Sequence, residues 1–155
     1  AVRKTYLTLV KGRWPDPVRH IKLPLHKFVT AEGERRVSVS ETGKMAHSVV
    51  RLRARWSNFS LLEVELKTGR THQIRVHLAH LGFPLCGDDK YGDFSLNREL
   101  ARLGLKRMFL HAARLELAHP LNEAVMLLEA PLPDELRDFA NRIEQNEPRD
   151  YGAPV

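Results

Sequence analysis

Residues 66–78 read LKTGRTHQIRVHL, a segment that joins a strand pattern to a helix pattern. Residues 59–67 alternate between apolar and polar side chains, as a strand with one buried face does. The apolar residues that follow recur at the spacing of one helix face: Ile74, Leu78 and Leu81. Thr71 is a suitable N-cap and Gly82 suits the first position after a helix, so the spacing predicts a helix over residues 71–81.

Elsewhere in the chain, short alternating segments outnumber helical ones. Besides 59–67, the predicted strands are 5–10, 48–56, 109–117 and 124–130. The further predicted helices are 96–103 and a segment that begins at Pro133. We therefore predict an α+β fold, with a mixed, mostly antiparallel β-sheet flanked by helices over residues 1–146 and a flexible tail over residues 147–155.

The charge of the chain is unevenly distributed. Residues 1–115 carry 22 Lys and Arg against 10 Asp and Glu, whereas residues 116–155 carry 3 against 9. A basic body with an acidic end favours a polyanionic partner such as a nucleic acid. No apolar run approaches the roughly 20 residues that cross a bilayer, the N-terminal residues lack the apolar core of a signal peptide, and a single cysteine, Cys86, fits a reducing compartment. We therefore expect a cytoplasmic protein that does not contact a membrane.

Two neighbouring predicted strands carry opposite charges. In residues 48–56 the apolar face consists of Val50, Leu52 and Ala54, and the polar face of Arg51, Arg53 and Arg55. In residues 59–67 the polar face carries Glu63 and Glu65. We expect the arginines to pair with the glutamates across the strands, with direct contact to RNA as the alternative. On residues 5–10, Tyr6 and Thr8 point away from Leu7 and Leu9.

The turn before the predicted helix has the residues of an anion site. Thr68, Gly69 and Arg70 precede the free N–H groups and the positive end of a helix dipole. On a helical wheel Arg75 lies at the edge of the apolar stripe, where a guanidinium can line a cleft. The polar side of the helix consists of Gln73, His77 and His80. No carboxylate or thiolate joins the histidines at zinc-like spacing, and no Gly-x-Ser-x-Gly motif supports a serine hydrolase, so we expect no metal.

Five segments, in order along the chain, resemble the RNA pseudouridine synthases of the ribosomal large-subunit class. They are residues 4–12, 43–46, 66–78, 82–92 and 109–115 with the pair at 119–120. The first resembles the family's strand with the active-site tyrosine, and the third resembles its arginine-bearing motif. The resemblance implies an isomerase that detaches uracil from its ribose and rejoins it through carbon, with no metal or organic cofactor and with large-subunit ribosomal RNA as partner.

The family's catalytic group is an aspartate in a His-Arg-Leu-Asp motif, which does not occur in this chain. The resemblance therefore implies that residues 1–146 are the C-terminal part of a catalytic domain and that this chain alone is inactive. It also implies that Tyr6 stacks on a flipped uracil, that Arg75 ion-pairs with the upstream aspartate, and that Leu66 forms a wall of the pocket. The phosphate or sugar contacts expected are Lys67, Arg70, His72, Gln73 and Lys90. We expect a monomer; the rival functions are a non-catalytic RNA-binding module and a ribosome-associated structural protein.

Overall fold

Within residues 2–122 and 124–155, which the computed structural model describes, the chain forms nine strands and three helices. The strands are β1 (Val2–Lys11), β2 (Val18–Lys22), β3 (Leu25–Val29), β4 (Arg35–Val39), β5 (His47–Trp56), β6 (Phe59–Leu66), β7 (Leu110–Ala118), β8 (Val125–Glu129) and β9 (Arg149–Gly152). The helices are α1 (Gln73–His80), α2 (Phe94–Arg102) and α3 (Asp134–Asn146). None of these three helices has the length and apolar character needed to cross a bilayer.

Strand β1 lies in the middle of the main sheet, because both of its edges are paired. The strand order is β2-β5-β6-β1-β7-β8, with β9 alongside β5. Each of these neighbours is antiparallel, and β3 and β4 form a separate antiparallel hairpin. Helices pack on both faces of the main sheet. The predicted α+β fold with a mostly antiparallel sheet is confirmed.

The two faces of the main sheet bury different apolar clusters. On one face, Val64 of β6 packs in a cluster with Ile74 and Leu78 of α1. On the other face, Leu9 of β1 packs in a cluster with residues of α2 and α3. Tyr6 belongs to the α1 cluster, so the predicted separation of Tyr6 from Leu9 is confirmed. The site residues of β1 and α1 therefore share one face of the sheet.

A β-bulge interrupts the regular alternation of β5. The register against β6 shifts between Leu52 and Ala54, which leaves Arg53 as the extra residue. Leu52 belongs to the α1 cluster, whereas Ala54 belongs to the cluster of Leu9 on the opposite face. The prediction that Val50, Leu52 and Ala54 share a face is therefore wrong at Ala54, since alternation assumes an unbroken register.

Helix α1 is shorter than the predicted 71–81. Its N-cap is His72, whose backbone is left-handed with a φ of 54°, and no side chain caps the first turn. The prediction of Thr71 as N-cap is wrong, because the chain is still turning at that residue. Gly82 follows the helix with a φ of 92°, and the N–H of Phe83 donates to the Leu78 carbonyl. The predicted glycine stop is confirmed.

Glu65 is the centre of an ion network on the sheet face opposite α1. Three cations contact its carboxylate: Arg3 at 3.1 Å, Arg51 at 3.0 Å and Lys67 at 2.6 Å. Burial opposes the ionisation of Glu65, but these cations outweigh it and lower its pKa to about 2. Arg53 pairs with Glu63 at 2.9 Å. For Arg51 and Arg53, the interpretation as an ion-paired sheet face is confirmed.

Residues 149–152 form strand β9, within the segment 147–155 that the sequence analysis expected to be a flexible tail. β9 pairs with the end of β5, and Asp150 accepts hydrogen bonds from Arg13 at 2.5 Å and from Arg55 at 3.0 Å. Arg55 therefore pairs with the C-terminal segment and not with β6. A short segment with Pro and Gly gives no strand pattern when its partner is remote in sequence.

Deleting residues 148–155 is expected to lower the free energy of unfolding by about 2 kcal/mol, since a few backbone hydrogen bonds of roughly 0.5–1.5 kcal/mol each are lost. Thermal denaturation should show a melting temperature lower by roughly 4–8 °C. Deleting residues 153–155 alone removes exposed residues beyond β9 and is the control. Equal melting of the two truncated chains would show that β9 does not form in solution.

Candidate functional site

The β6–α1 turn, residues 67–72, is held by the side chain of Gln73. Its Oε1 accepts from Thr68 Oγ1 at 2.8 Å and from the Arg70 N–H at 3.0 Å. Its Nε2 donates to two groups of β5: the His47 carbonyl at 3.1 Å and Ser48 Oγ at 2.9 Å. The amide thus uses both of its N–H groups and both acceptor positions on protein groups. Gln73 therefore ties the turn to β5, together with Thr68, whose Oγ1 accepts the His47 N–H at 2.9 Å.

Gln73 and His77, one turn apart on α1, are both buried: Gln73 is 2% exposed and His77 is 0% exposed. We expected both on the open, polar side of the helix. That placement is wrong, because β5 and the Leu23 carbonyl pack against that side of α1 as well. The expected contact of Gln73 with RNA stays a prediction. His80 is exposed, as expected.

Arg75 and Asp88 form a bidentate ion pair. Nε of the arginine donates to Oδ2 at 2.9 Å and Nη2 donates to Oδ1 at 2.7 Å. The Asp88 side chain is fully buried and that of Arg75 is 12% exposed. Burial opposes the ionisation of Asp88, but Arg75 and the backbone N–H groups of Lys90 and Tyr91 outweigh it, so the pKa of Asp88 lies below its ordinary value. Both groups of the pair are charged at neutral pH.

This pairing changes the role expected of Arg75. From the sequence, its guanidinium was to line a pocket beside Tyr6 and pair with a carboxylate outside the chain. In the structure Nε and Nη2 are engaged by Asp88, and Asp89 lies 3.6 Å from Nη2. A guanidinium already neutralised in this way lowers the pKa of a further carboxyl less than an unpaired one does. Sequence reasoning missed Asp88, although it lies within the matching segment 82–92.

Tyr91 connects this ion pair to the β3–β4 hairpin. Its ring lies between two guanidinium groups, with 5.2 Å from the ring centroid to Cζ of Arg75 and 5.8 Å to Cζ of Arg36. Its hydroxyl accepts from the Val37 N–H at 3.0 Å and lies 2.8 Å from Nδ1 of His72. The hydroxyl thus joins β4 to the start of α1 by two hydrogen bonds.

Burial, followed by the charges of Arg75 and Lys90, lowers the pKa of His72. The ring is therefore neutral at pH 7. If His72 contacts RNA as expected, it does so as a neutral imidazole at the start of α1. His72 is the N-cap residue of α1, next to the first N–H groups of the helix, which have no partner within it.

Tyr6 lies in a groove on the side of β1 that faces β7 and β8. The groove has a volume of about 280 Å³ and is lined by Lys4, Tyr6, Leu115 and Leu128, among others. Tyr6 also packs with Leu66 in the α1 cluster, which fits the expected neighbourhood of these two residues. Arg75 is not among the residues that line this groove.

The residues expected to contact phosphate differ in whether a carboxylate already pairs with them. Lys67 pairs with Glu65 at 2.6 Å and Lys90 with Glu34 at 3.1 Å. Arg70 is exposed and donates from Nε to the Met45 carbonyl at 3.0 Å. Over residues 2–122 and 124–155, no carboxylate lies within ion-pair distance of Arg70. Arg70 is therefore the cation of the β6–α1 turn that remains available to an anion.

A second groove lies between the β3–β4 hairpin and the start of α1. Its volume is about 330 Å³, and its lining includes three cations and two rings: Lys27, Arg35, Arg36, Phe28 and His72. Cations beside aromatic rings suit the phosphate and base of a nucleotide. This groove was not predicted from the sequence, because the hairpin buries only a few apolar side chains, Leu25 and Val37 among them, and so gives only a weak pattern.

A metal or a reactive thiol has no support in the described part of the chain. No three His, Cys, Asp or Glu residues are grouped so that they could hold a metal ion there. Burial raises the pKa of Cys86 far above its ordinary value, so the thiol stays protonated and unreactive.

Comparison with known proteins gives one family. The model of the RNA pseudouridylate synthase family matches residues 1–80. Ribosomal large subunit pseudouridine synthase C of Yersinia pestis is 40% identical over 146 residues, and that of Escherichia coli K12 is 42% identical over 138 residues. These matches cover 94% and 88% of this chain but 46% and 43% of the relatives, so the chain spans less than half of their length.

Solved structures share the fold. Human RNA Pseudouridylate Synthase Domain Containing 1 superimposes with a TM-score of 0.75 at 24% identity, over 99% of this chain and 62% of that chain. Human RNA Pseudouridylate Synthase Domain Containing 4 gives a TM-score of 0.72 at 21% identity, over 98% of this chain and 64% of that chain. The architecture of the present chain is therefore that of part of these domains.

Asp88→Asn is expected to lower the free energy of unfolding by about 3–5 kcal/mol, because it leaves the guanidinium of Arg75 poorly paired in a largely buried position. Asp89→Asn is the matched control: the adjacent carboxylate also approaches Arg75, but its side chain is 91% exposed, so its loss should cost less than about 0.5 kcal/mol. Urea denaturation at pH 7 measures both. A small loss for both variants would mean that water replaces the carboxylate of Asp88.

Proposed function

Because the chain belongs to the RNA pseudouridylate synthase family, we propose that residues 1–146 are the C-terminal part of a catalytic domain that isomerises uridines in large-subunit ribosomal RNA. The names of the relatives at 40–43% identity support this substrate. The catalytic aspartate lies upstream in the complete protein, and the present chain alone is inactive. The monomeric state and the cytoplasmic location stay predictions.

In the proposed reaction the bond between N1 of uracil and C1′ of ribose breaks, and a bond from C5 to the same carbon forms. C5 loses a proton and N1 gains one, so no atom is gained or lost overall. The upstream aspartate acts as nucleophile or as base. Flipping the uridine out of its stack costs a few kcal/mol, least where the RNA is already looped.

Tyr6 receives the flipped base in this proposal. It has a partly buried ring in a groove, beside the apolar side chain of Leu66, and such a surface suits stacking of a flat heterocycle. Stacking is therefore its main role.

The two arginines of the segment 66–78 have different roles. Arg75 is a positioning residue that holds Asp88 and, through it, the backbone of Lys90 and Tyr91. Arg70 is the cation that meets the upstream aspartate or an RNA phosphate, because its charge is not neutralised by a carboxylate of the described chain. The observation that carries the proposal is this turn, which exposes Arg70 while Gln73 fixes its backbone.

The RNA approaches along the cationic side of the chain. The β3–β4 groove with Lys27, Arg35 and Arg36 adjoins the start of α1 through His72. Lys67 and Lys90 extend this surface, although each also neutralises a glutamate. Together these side chains hold the phosphates on either side of a flipped nucleotide.

The test uses a chain extended upstream to include the aspartate, with uridine-to-pseudouridine conversion in ribosomal RNA as the assay. Arg70→Ala is expected to lower turnover at least roughly 100-fold without a change in melting temperature, since it removes a charge at the reacting site. Arg75→Ala is expected to lower the melting temperature, because it leaves Asp88 unpaired. Thr71→Ala, an exposed neighbour, is the control.

Two outcomes would overturn parts of this proposal. If Arg75→Ala abolished turnover with no loss of stability and Arg70→Ala did not, Arg75 would be the residue that meets the aspartate. If the extended chain bound ribosomal RNA but never isomerised uridine, the protein would be the rival, a non-catalytic RNA-binding module.

A further inference from the structure

The buried side chains behind the β6–α1 turn form a continuous row of hydrogen bonds that the proposed reaction does not yet use. His77 is fully buried, Ser48 is 1% exposed and Gln73 is 2% exposed. His77 Nδ1 lies 3.0 Å from Ser48 Oγ, and Ser48 Oγ lies 2.9 Å from Gln73 Nε2. Buried polar groups are retained where their hydrogen bonds are complete, and here each is engaged.

The direction of every bond in this row is fixed by one carbonyl. His77 Nε2 lies 2.9 Å from the Leu23 carbonyl oxygen, which can only accept, so Nε2 carries the proton. Nδ1 is then an acceptor, and the hydroxyl of Ser48 donates to it. The oxygen of that hydroxyl accepts from Nε2 of Gln73, whose other N–H donates to the His47 carbonyl.

This order fixes which way the Gln73 amide points. With both N–H groups directed at β5, its Oε1 must face Thr68 Oγ1 and the backbone N–H of Arg70. A reversed amide would set its N–H groups against these two donors. Thr68 Oγ1 in turn accepts the N–H of His47. The row therefore runs from the Leu23 carbonyl through the side chains of His77, Ser48 and Gln73 to the backbone N–H of Arg70, whose guanidinium is exposed.

We propose that His77, through Ser48 and Gln73, is a positioning residue that sets the backbone of Arg70 and hence the direction of its side chain. The inference deepens the proposed function, because the position of Arg70 matters to the reaction only if Arg70 meets the RNA or the aspartate. An error of about 1 Å in a reacting group can cost roughly 100-fold in rate. His77 touches neither RNA nor base in this arrangement.

The row works with His77 neutral. Burial lowers the pKa of His77, the bond to the Leu23 carbonyl partly opposes this, and the nearby rings of His80 and His47 lower it further. A second proton on Nδ1 would leave the hydroxyl hydrogen of Ser48 without its acceptor. The environment thus favours the one protonation state in which all the donors and acceptors match.

The first experiment needs no activity and uses the 155-residue chain. Amide hydrogen exchange is measured for Arg70, whose N–H is bonded to Gln73 Oε1. Ser48→Ala and His77→Leu are expected to speed exchange of this amide roughly tenfold or more, because each breaks the row. His77→Gln, which keeps an N–H and a carbonyl, should restore much of the protection. His80→Leu on the exposed side of α1 is the matched control and should leave it unchanged.

The second experiment measures turnover in the chain extended upstream. His77→Leu should lower kcat roughly 10- to 100-fold with little change in KM, and His77→Gln should recover most of the loss. If exchange at Arg70 does not change in either broken variant, the positioning row is wrong whatever the enzyme does. If exchange changes and turnover does not, the row stands and the role proposed for Arg70 fails. If His77→Leu unfolds the chain, Ser48→Ala, which removes one oxygen, decides between these outcomes.

Discussion

The candidate site depends on the buried ion pair between Arg75 and Asp88. The pair is not a simple gain in stability, because removing two charges from water costs about as much as their attraction returns. Its effect is to order the segment after α1: Oδ1 of Asp88 also receives two backbone N–H groups, and its own carbonyl accepts from Asn97 on α2. The ring of Tyr91 is thereby held next to the guanidinium of Arg75, and its hydroxyl bonds to Val37 of the β3–β4 hairpin. The guanidinium of Arg75 thus connects α1 and α2 to the β3–β4 hairpin.

Helix α1 has only eight residues, and an isolated helix of that length would not be stable in water. It persists because three of its sides are packed. Ile74 and Leu78 face the sheet, Gln73 and His77 bond to β5 and to the Leu23 carbonyl, and Arg75 bonds to Asp88. The polar side chains of α1 therefore join it to the rest of the fold, and Gln73 also holds the turn before it in place.

The same packing explains what the sequence could and could not reveal. Alternation predicted β1, β5, β6, β7 and β8 but not β2, the short strand at the edge of the main sheet. The glycine at position 82 marked the end of α1, because a left-handed backbone is needed there. A helical wheel assigns polar residues to water, so Gln73 and His77 were placed on the wrong side. The bulge at Arg53 and the pairing of β9 with β5 depend on contacts distant in the chain, which no local pattern contains. Asp88 lay in a matching segment, but only the fold reveals that its partner is Arg75.

The number of basic residues in the chain overstates the positive charge that a ligand meets. Arg3, Arg51, Arg53, Lys67 and Arg75 lie next to carboxylates, and their fields largely cancel at a distance. Exposed cations without a carboxylate within ion-pair distance, over residues 2–122 and 124–155, include a group around the β3–β4 hairpin: Lys22, Lys27, Arg35, Lys44 and Arg70. The backbone of Lys44 pairs with Leu25 of β3, and Arg70 bonds to the next residue, Met45. This group beside the β6–α1 turn is one of two groups of exposed, unpaired cations in the described residues; the other lies on α2 and in the loop after it, at Arg98, Arg102, Lys106 and Arg107. The first group adjoins the turn that exposes Arg70 and is therefore the one that the proposed function assigns to RNA phosphates.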